Sequence, residues 1–363
     1  MRDDATAFRA AFPVLERKAY LNAGTCGPVP AAAADAAAAA AREEAAEGRS
    51  GHAHFERLAA RAEELRAGYA RWLGCEAADV ALTTSTTAGV NVVVSALALR
   101  PGDEVVTSDE EHPGLLAPLA LAARRRGIEV RVAPFGSIAE AVSERTRLVA
   151  CSHVSWVSGQ VVDTAALAAC PAPVLLDGAQ ALGTRELDMA ALGCDFYAAS
   201  GQKWLCGPEG TGCLYVRRDR LEELAPPIAG YGTLADPLDP LGSELRPGAA
   251  RLDLAPGSAM ALAWALAALE VLDGPGRAWV VRRATTLAAR LADALGERGR
   301  EVLPRGDTTL VSWRDDDAAQ TVARLAGAGV VVRDLPGRAL VRASVGAWTS
   351  EADLERLLEL VAP

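Results

Sequence analysis

Lysine is almost missing from this chain of 363 residues. Of its 37 lysines and arginines, only Lys18 and Lys203 are lysine. Arginine serves equally well as a solvated positive charge, but its guanidinium does not deprotonate to a nucleophilic amine. A lysine kept in so arginine-rich a chain therefore points to amine chemistry, with a leftover surface residue as the alternative. Positive excess is missing too. The formal net charge is −10 and no basic stripe offsets it, so neither nucleic acid nor an acidic membrane surface is an expected partner. The one basic run, Arg124-Arg125-Arg126 before Gly127, suits a helix C-terminus. The seven cysteines are Cys26, Cys75, Cys151, Cys170, Cys194, Cys206 and Cys213, and no two have zinc-type CxxC spacing. The four histidines are scattered at 52, 54, 112 and 153, so no metal site is expected. Reduced, buried thiols in a cytoplasmic protein are expected instead. His52 and His54 are assigned to an exposed turn. Long uncharged apolar runs are absent, and the opening MRDDATAF is charged. Neither a membrane span nor a signal peptide is expected.

Half of the residues are apolar and no disorder-like tract dominates, which fits a globular chain of two domains. Residues 30–47 are alanine-dense, with Pro30 suited to a first helical turn, and 55–72 form a second helical stretch. Strand-like and helix-like segments then alternate. Strands are expected at 79–82, 104–107, 129–133, 148–152, 174–177 and 213–217. Helices are expected at 87–99 and 115–126. The short apolar runs among these suit buried parallel strands, so the pattern predicts an α/β sheet with helices on both faces. The stretch 230–248 is rich in Pro, Gly, Asp and Leu and marks a boundary. Helices at 259–272 and 275–298 follow, then short strands at 301–303, 309–313, 330–333 and 339–343, with a helix at 318–326. Ser350 with Asp353 resembles a capping box. The division is residues 1–239, an N-terminal segment plus the large domain, and 240–363, a smaller α+β domain.

Four short segments offer chemistry. Thr83-Thr84-Ser85-Thr86-Thr87-Ala88-Gly89-Val90-Asn91 joins a strand to a helix. Its hydroxyls and free N–H groups suit a phosphate, or merely cap the helix. Val174-Leu175-Leu176-Asp177-Gly178-Ala179-Gln180 ends an apolar strand in a carboxylate, where open α/β sheets bind ligands. Asp177 there is either the partner of a protonated pyridine nitrogen or a turn aspartate. His112, in Asp109-Glu110-Glu111-His112-Pro113, is placed to stack on a flat ring or to serve structure alone. Lys203 stands in Ser200-Gly201-Gln202-Lys203-Trp204-Leu205-Cys206-Gly207-Pro208-Glu209-Gly210-Thr211-Gly212.

Taken in chain order, with the His112 segment before that of Asp177, the segments resemble the class V aminotransferase family, the fold-type I pyridoxal 5'-phosphate (PLP) enzymes that include cysteine desulfurases and selenocysteine lyases. The resemblance runs from Tyr20-Leu21-Asn22 to Val341-Arg342-Ala343-Ser344. It implies a mostly parallel, seven-stranded-type sheet with a smaller C-terminal domain, PLP as cofactor, an amino-acid substrate, and a homodimer with shared active sites. It makes Lys203 the Schiff-base lysine, pairs Asp177 with the pyridine nitrogen, and stacks His112 on the ring. Thr86 and Thr87 hold the phosphate with Ser200 nearby, and Gln180 reaches the phenolic oxygen. Arg342 binds the α-carboxylate, for which an arginine fork is suited. Asn22, Trp156, Tyr231 and the loop Ala23-Gly24-Thr25-Cys26 are placed at the substrate pocket.

The chain departs from the desulfurases in two ways. No cysteine follows Cys213, so the usual loop nucleophile is missing. Trp156 stands in His153-Val154-Ser155-Trp156 where they carry asparagine, and Gln202 where they often carry histidine. The expected activity is β-elimination at a carbon–sulfur bond of a cysteine-derived amino acid. The alternatives are an aminotransferase, an isopenicillin-N-epimerase-like epimerase, and a desulfurase with its nucleophile moved to Cys26 or Cys206. An inactive PLP-binding protein is the non-enzymatic alternative.

Overall fold

The computed structural model describes residues 2–253 and 257–361. The first strand is β1 (Ala19–Tyr20), followed by β2 (Val80–Thr83), β3 (Glu104–Ser108) and β4 (Glu129–Ala133). Next come β5 (Thr146–Ser152), β6 (Val174–Asp177), β7 (Phe196–Ser200) and β8 (Gly212–Val216). The last four are β9 (Leu310–Arg314), β10 (Val330–Val331), β11 (Arg333–Leu335) and β12 (Leu340–Ser344).

Seven strands form one sheet in the order β2-β8-β7-β6-β5-β3-β4. β3, β4, β5, β6 and β7 pair in parallel, while β8 runs antiparallel to both its neighbours, β7 and β2. The sheet is thus mostly parallel, as expected. Its strands carry apolar side chains toward both faces. Leu82, Val106, Cys151, Leu176 and Tyr197 point into one core, with Leu65 and Trp72 of helix His52–Leu73 and Leu269 of helix Ala259–Asp273. Their chain neighbours Ala81, Val105, Ala150, Leu175 and Phe196 enter a second core, with Val90, Val93, Leu115 and Leu119. Alternate residues of one strand face opposite ways, which is why continuous apolar runs mark strands covered on both sides.

β11, β12 and β9 form an antiparallel sheet near the C-terminus. It packs with helices Arg277–Glu297 and Glu351–Leu360 through Leu287, Leu291, Trp313 and Leu357. Ser350 and Asp353 complete a reciprocal capping box, Asp353 N donating to Ser350 Oγ and Ser350 N to Asp353 Oδ2. The N-terminal segment touches this region as well, while its Phe8, Phe12 and Leu15 pack in the first core of the large sheet. β1 pairs in parallel with β10, Asn22 bridges Ser344, and Arg9 pairs with Asp353 at 2.5 Å.

Three local readings change. β7 was not expected, since its Phe-Tyr-Ala-Ala-Ser includes two alanines, which are poor strand formers. The strand expected at 301–303 is only an isolated bridge from Val302 to Trp313. His52 and His54 lie in the first turn of helix His52–Leu73 rather than in a turn between elements. His52 is exposed beside Glu56, but His54 is buried, so its surface assignment is corrected. No single helix among the described residues is long and apolar enough to cross a membrane.

Candidate active site

Ser108, Ser152, Asp177 and Ser200 are the last residues of β3, β5, β6 and β7. Parallel pairing brings these ends to one edge of the sheet, where α/β folds bind ligands. A cavity at this edge is lined by Lys203, Asp177, His112, Thr86, Thr87, Gln180, Ser200 and Trp156, together with Ser85, Ser152, Ala179 and Gln202. Most of the residues singled out by sequence therefore meet. Arg342 and Asn22 are not part of the lining.

One end of the cavity suits an anion. Ser85 caps helix Thr86–Ala96, its Oγ accepting from Ala88 N. Ser200 reaches the same helix end, accepting from Thr86 N at 2.9 Å and lying 2.6 Å from Thr86 Oγ1. Hydroxyls and first-turn N–H groups at a helix N-terminus favour negative charge. Gly212 lets β8 pass beneath this turn, since a Cβ there would lie 3.1 Å from Ser85 N and 2.5 Å from Ala199 O.

Asp177 and Lys203 carry the opposite charges of the cavity. Burial pushes the Asp177 carboxyl above its ordinary value, against Lys203 and the Ala179 N–H, which stabilise the anion. Burial also pushes Lys203 down to about 8, with Asp177 opposing and Arg342 adding to the fall. A desolvated amine with a pKa near 8 is roughly one-tenth neutral at pH 7, far more than an ordinary lysine, which favours its use as a nucleophile. His112 caps helix Pro113–Arg126, its Nδ1 accepting from Gly114 N, and meets the Trp156 ring edge-on at 5.1 Å. Burial, then Lys203 and the arginines, lower it to about 4, so its ring is neutral.

Arg342 is wholly buried on β12. Nη1 donates to Trp156 O at 2.7 Å, while Nε and Nη2 have no hydrogen-bond partner. Burial and the neighbouring Arg333 push its pKa down to about 9. Arg333 faces it in register across β11 and β12 and lies over the Trp156 ring. Like charges directly opposed across strands are unfavourable, and donors left unpaired in the interior are costly. Such an arrangement is suited to an incoming anion.

Other expected site residues are placed differently. Asn22 turns its side-chain carbonyl to Thr25 Oγ1, which also accepts from Arg333 Nη1, and its backbone bridges Ser344. Tyr231 is 77% exposed and does not shape the cavity. Gln180 already gives one amide hydrogen to Gly24 O and accepts from Trp204 Nε1, so a single N–H remains for a ligand. Sequence reading passed over Glu111 and Arg333. Glu111 is buried, accepts from Ser108 Oγ, Ser152 N and Ser152 Oγ, and ties the ends of β3 and β5 together. Burial raises it to about 7, against those hydrogen bonds.

Known proteins are similar to this chain in sequence and fold. A sequence profile of the family described as Aminotransferase class-V matches residues 19–357. A cysteine desulfurase of Dickeya dadantii (strain 3937) is 36% identical over 249 residues, or 62% of this chain and 60% of that relative. The chain thus spans well under two thirds of that protein's length in the match. The isopenicillin N epimerase of Amycolatopsis lactamdurans is 33% identical over 380 aligned residues, covering 93% of each chain. Among solved structures, the cystine C-S lyase C-DES in complex with its reaction product, cysteine persulfide, superposes with a TM-score of 0.91 at 27% identity. That match covers 97% of this chain and 99% of the other. A variant of C-DES with glycine covalently linked to its PLP cofactor gives 0.92 at 27% identity and covers 98% of each. With a profile match over nearly the whole chain and an epimerase aligned almost end to end, the protein belongs to the class V aminotransferases.

Proposed function

We propose that this PLP-dependent enzyme is a lyase that cleaves the β-carbon–sulfur bond of a cysteine-derived amino acid. The residues present fit the cofactor. The hydroxyls and N–H groups at the start of helix Thr86–Ala96 would hold its phosphate, Asp177 its ring nitrogen, His112 its face and Lys203 its aldehyde carbon. When bound, PLP supplies an electron sink for negative charge at Cα. The chain's own groups do the rest. Arg342, two of whose buried donors have no partner, would take the substrate carboxylate, and the second guanidinium, Arg333, would add positive charge beside it. Lys203, once its amine is free, takes the Cα proton as general base. Asp177 would hold a proton on the ring nitrogen.

The observation that carries the lyase reading is the connection between β11 and β12. It is four residues long, Pro336-Gly337-Arg338-Ala339, and contains no thiol. A persulfide-forming enzyme of the usual kind needs one on this loop. The other two candidates are poorly activated. Cys26 approaches Glu209 at 3.9 Å, and burial followed by that carboxylate pushes its thiol up, with Lys203 opposing. Cys206 is buried and raised by burial. Both therefore stay protonated, whereas the thiolate is the nucleophile.

The expected result is pyruvate from cystine or S-substituted cysteines, with Cys26→Ser and Cys206→Ser keeping turnover within roughly twofold of wild type. A persulfide on either thiol after turnover, together with loss of activity in its serine variant, would reject the lyase in favour of a desulfurase. The match to the epimerase over 93% of both chains supports a second reading, inversion at Cα. Solvent deuterium entering Cα without any pyruvate would select it.

We also propose that the protein is a homodimer. Ile228, Tyr231, Leu238 and Leu241 are all exposed within one stretch of chain, with Leu241 fully so. Apolar side chains gathered in this way favour burial against a partner. Sedimentation at micromolar concentration should give twice the chain mass of 37.7 kDa; a monomer there would overturn the proposal.

A further inference from the structure

Glu110 takes no part in the chemistry above, yet it holds the site together. It lies in the loop between β3 and helix Pro113–Arg126, two residues before His112. Its Oε2 accepts from Ser155 Oγ and, at 2.6 Å, from Ser158 Oγ. Ser155 Oγ in turn accepts from Val157 N and Ser158 N, each at 3.1 Å, and Ser158 Oγ from Gln160 N at 3.2 Å. A hydroxyl that accepts backbone N–H groups still has one proton to place. Both serines send theirs to the same carboxylate oxygen. Glu110 thereby fixes the turn formed by residues 155–160.

That turn presents its carbonyls to the C-terminal sheet. Trp156 O receives Arg342 Nη1 at 2.7 Å, Val157 O receives Ser312 Oγ at 2.5 Å, and Gly159 O receives Thr308 Oγ1 at 2.8 Å. Arg342 has this one hydrogen bond, so the direction of its fork depends on where the Trp156 carbonyl points. The indole of the same residue lies between His112 and Arg333. Bidentate recognition of a carboxylate tolerates little angular error.

We infer that Glu110 is a positioning residue for the carboxylate end of the substrate, acting through the turn at 155–160 to aim Arg342. The inference rests on the reading of this cavity as an amino-acid site. It does not depend on the lyase outcome.

The test uses PLP-loaded enzyme and two ligands without a β-substituent, so pyruvate, the readout for the lyase, plays no part. Glycine has both an amine and a carboxylate, and methylamine has the amine alone. Their affinities are read from the change in visible absorption of the bound cofactor. Glu110→Ala should weaken glycine about tenfold and leave methylamine within roughly twofold. Glu110→Gln keeps an oxygen that accepts from both serines and should restore most of the glycine affinity. Ser158→Ala removes one hydroxyl without unpairing a charge, and should shift glycine in the same direction by less. Unchanged glycine affinity in both alanine variants, or equal weakening of glycine and methylamine, overturns the inference.

Discussion

Lys203→Ala should bind PLP without a covalent bond, and its turnover should fall to background. Only two lysines exist, and Lys18 is exposed outside the cavity that Lys203 lines. Reduction of wild-type enzyme with borohydride, followed by peptide mass analysis, should label Lys203. Label on Lys18, or none on protein that carries PLP, refutes the assignment. The reaction also has a predicted pH dependence. Because burial lowers Lys203 to about 8, the neutral amine gains population as pH rises toward that value and dominates above it. Covalent attachment of added PLP to the apoprotein should therefore quicken between pH 6 and 8 and level off above that range, as roughly expected for such a pKa. A profile still climbing toward the ordinary lysine range would show that the desolvated environment is absent in solution.

Asp177→Asn should keep PLP yet turn over about a hundredfold or more slowly. The groups placed for the phosphate lie on helix Thr86–Ala96 and β7 and make no hydrogen bond to Asp177, so binding should survive. What would be lost is the buried carboxylate proposed above as the partner of the ring nitrogen. Removing a preorganised electrostatic group of this kind costs on the order of ~3 kcal/mol in the transition state. The asparagine is nearly isosteric and its carbonyl can still accept from Ala179 N, so a folding defect is not the expected cause. Near-normal turnover would mean that another group keeps the nitrogen protonated.

The sheet and the cofactor end of the site were legible because they depend on local sequence. The apolar run 174–177 reads as a buried strand and ends in Asp177, and β6 has those same bounds. Ser85 and the threonines sit at a strand-to-helix junction that fixes their position. The substrate end depends on register and on contacts between distant segments. Arg333 gains meaning only when β11 and β12 set it opposite Arg342, which no spacing reveals. Nothing in the sequence around Glu110 and Glu111 marks them out, and only the packed fold brings them to serine hydroxyls. The alanines of β7 concealed a central strand, and the exposed Tyr231 shows that an aromatic near a boundary is not thereby a pocket wall.

The pairing of β1 with β10 has a consequence for how the enzyme is made. Residues 80–216 contain every strand of the large sheet, so the cofactor end can assemble while the remainder is still being synthesised. Ala19 and Tyr20 emerge earlier but have no partner until Val330 and Val331 follow, and Arg9 waits longer still for Asp353. Contacts of such sequence separation form late, because the chain between them must first be ordered. A nascent chain stalled short of residue 330 would hold a nearly finished cofactor cradle beside an unmatched N-terminal strand. Arg342 would not yet be made, so such a chain would lack the proposed carboxylate end of the site.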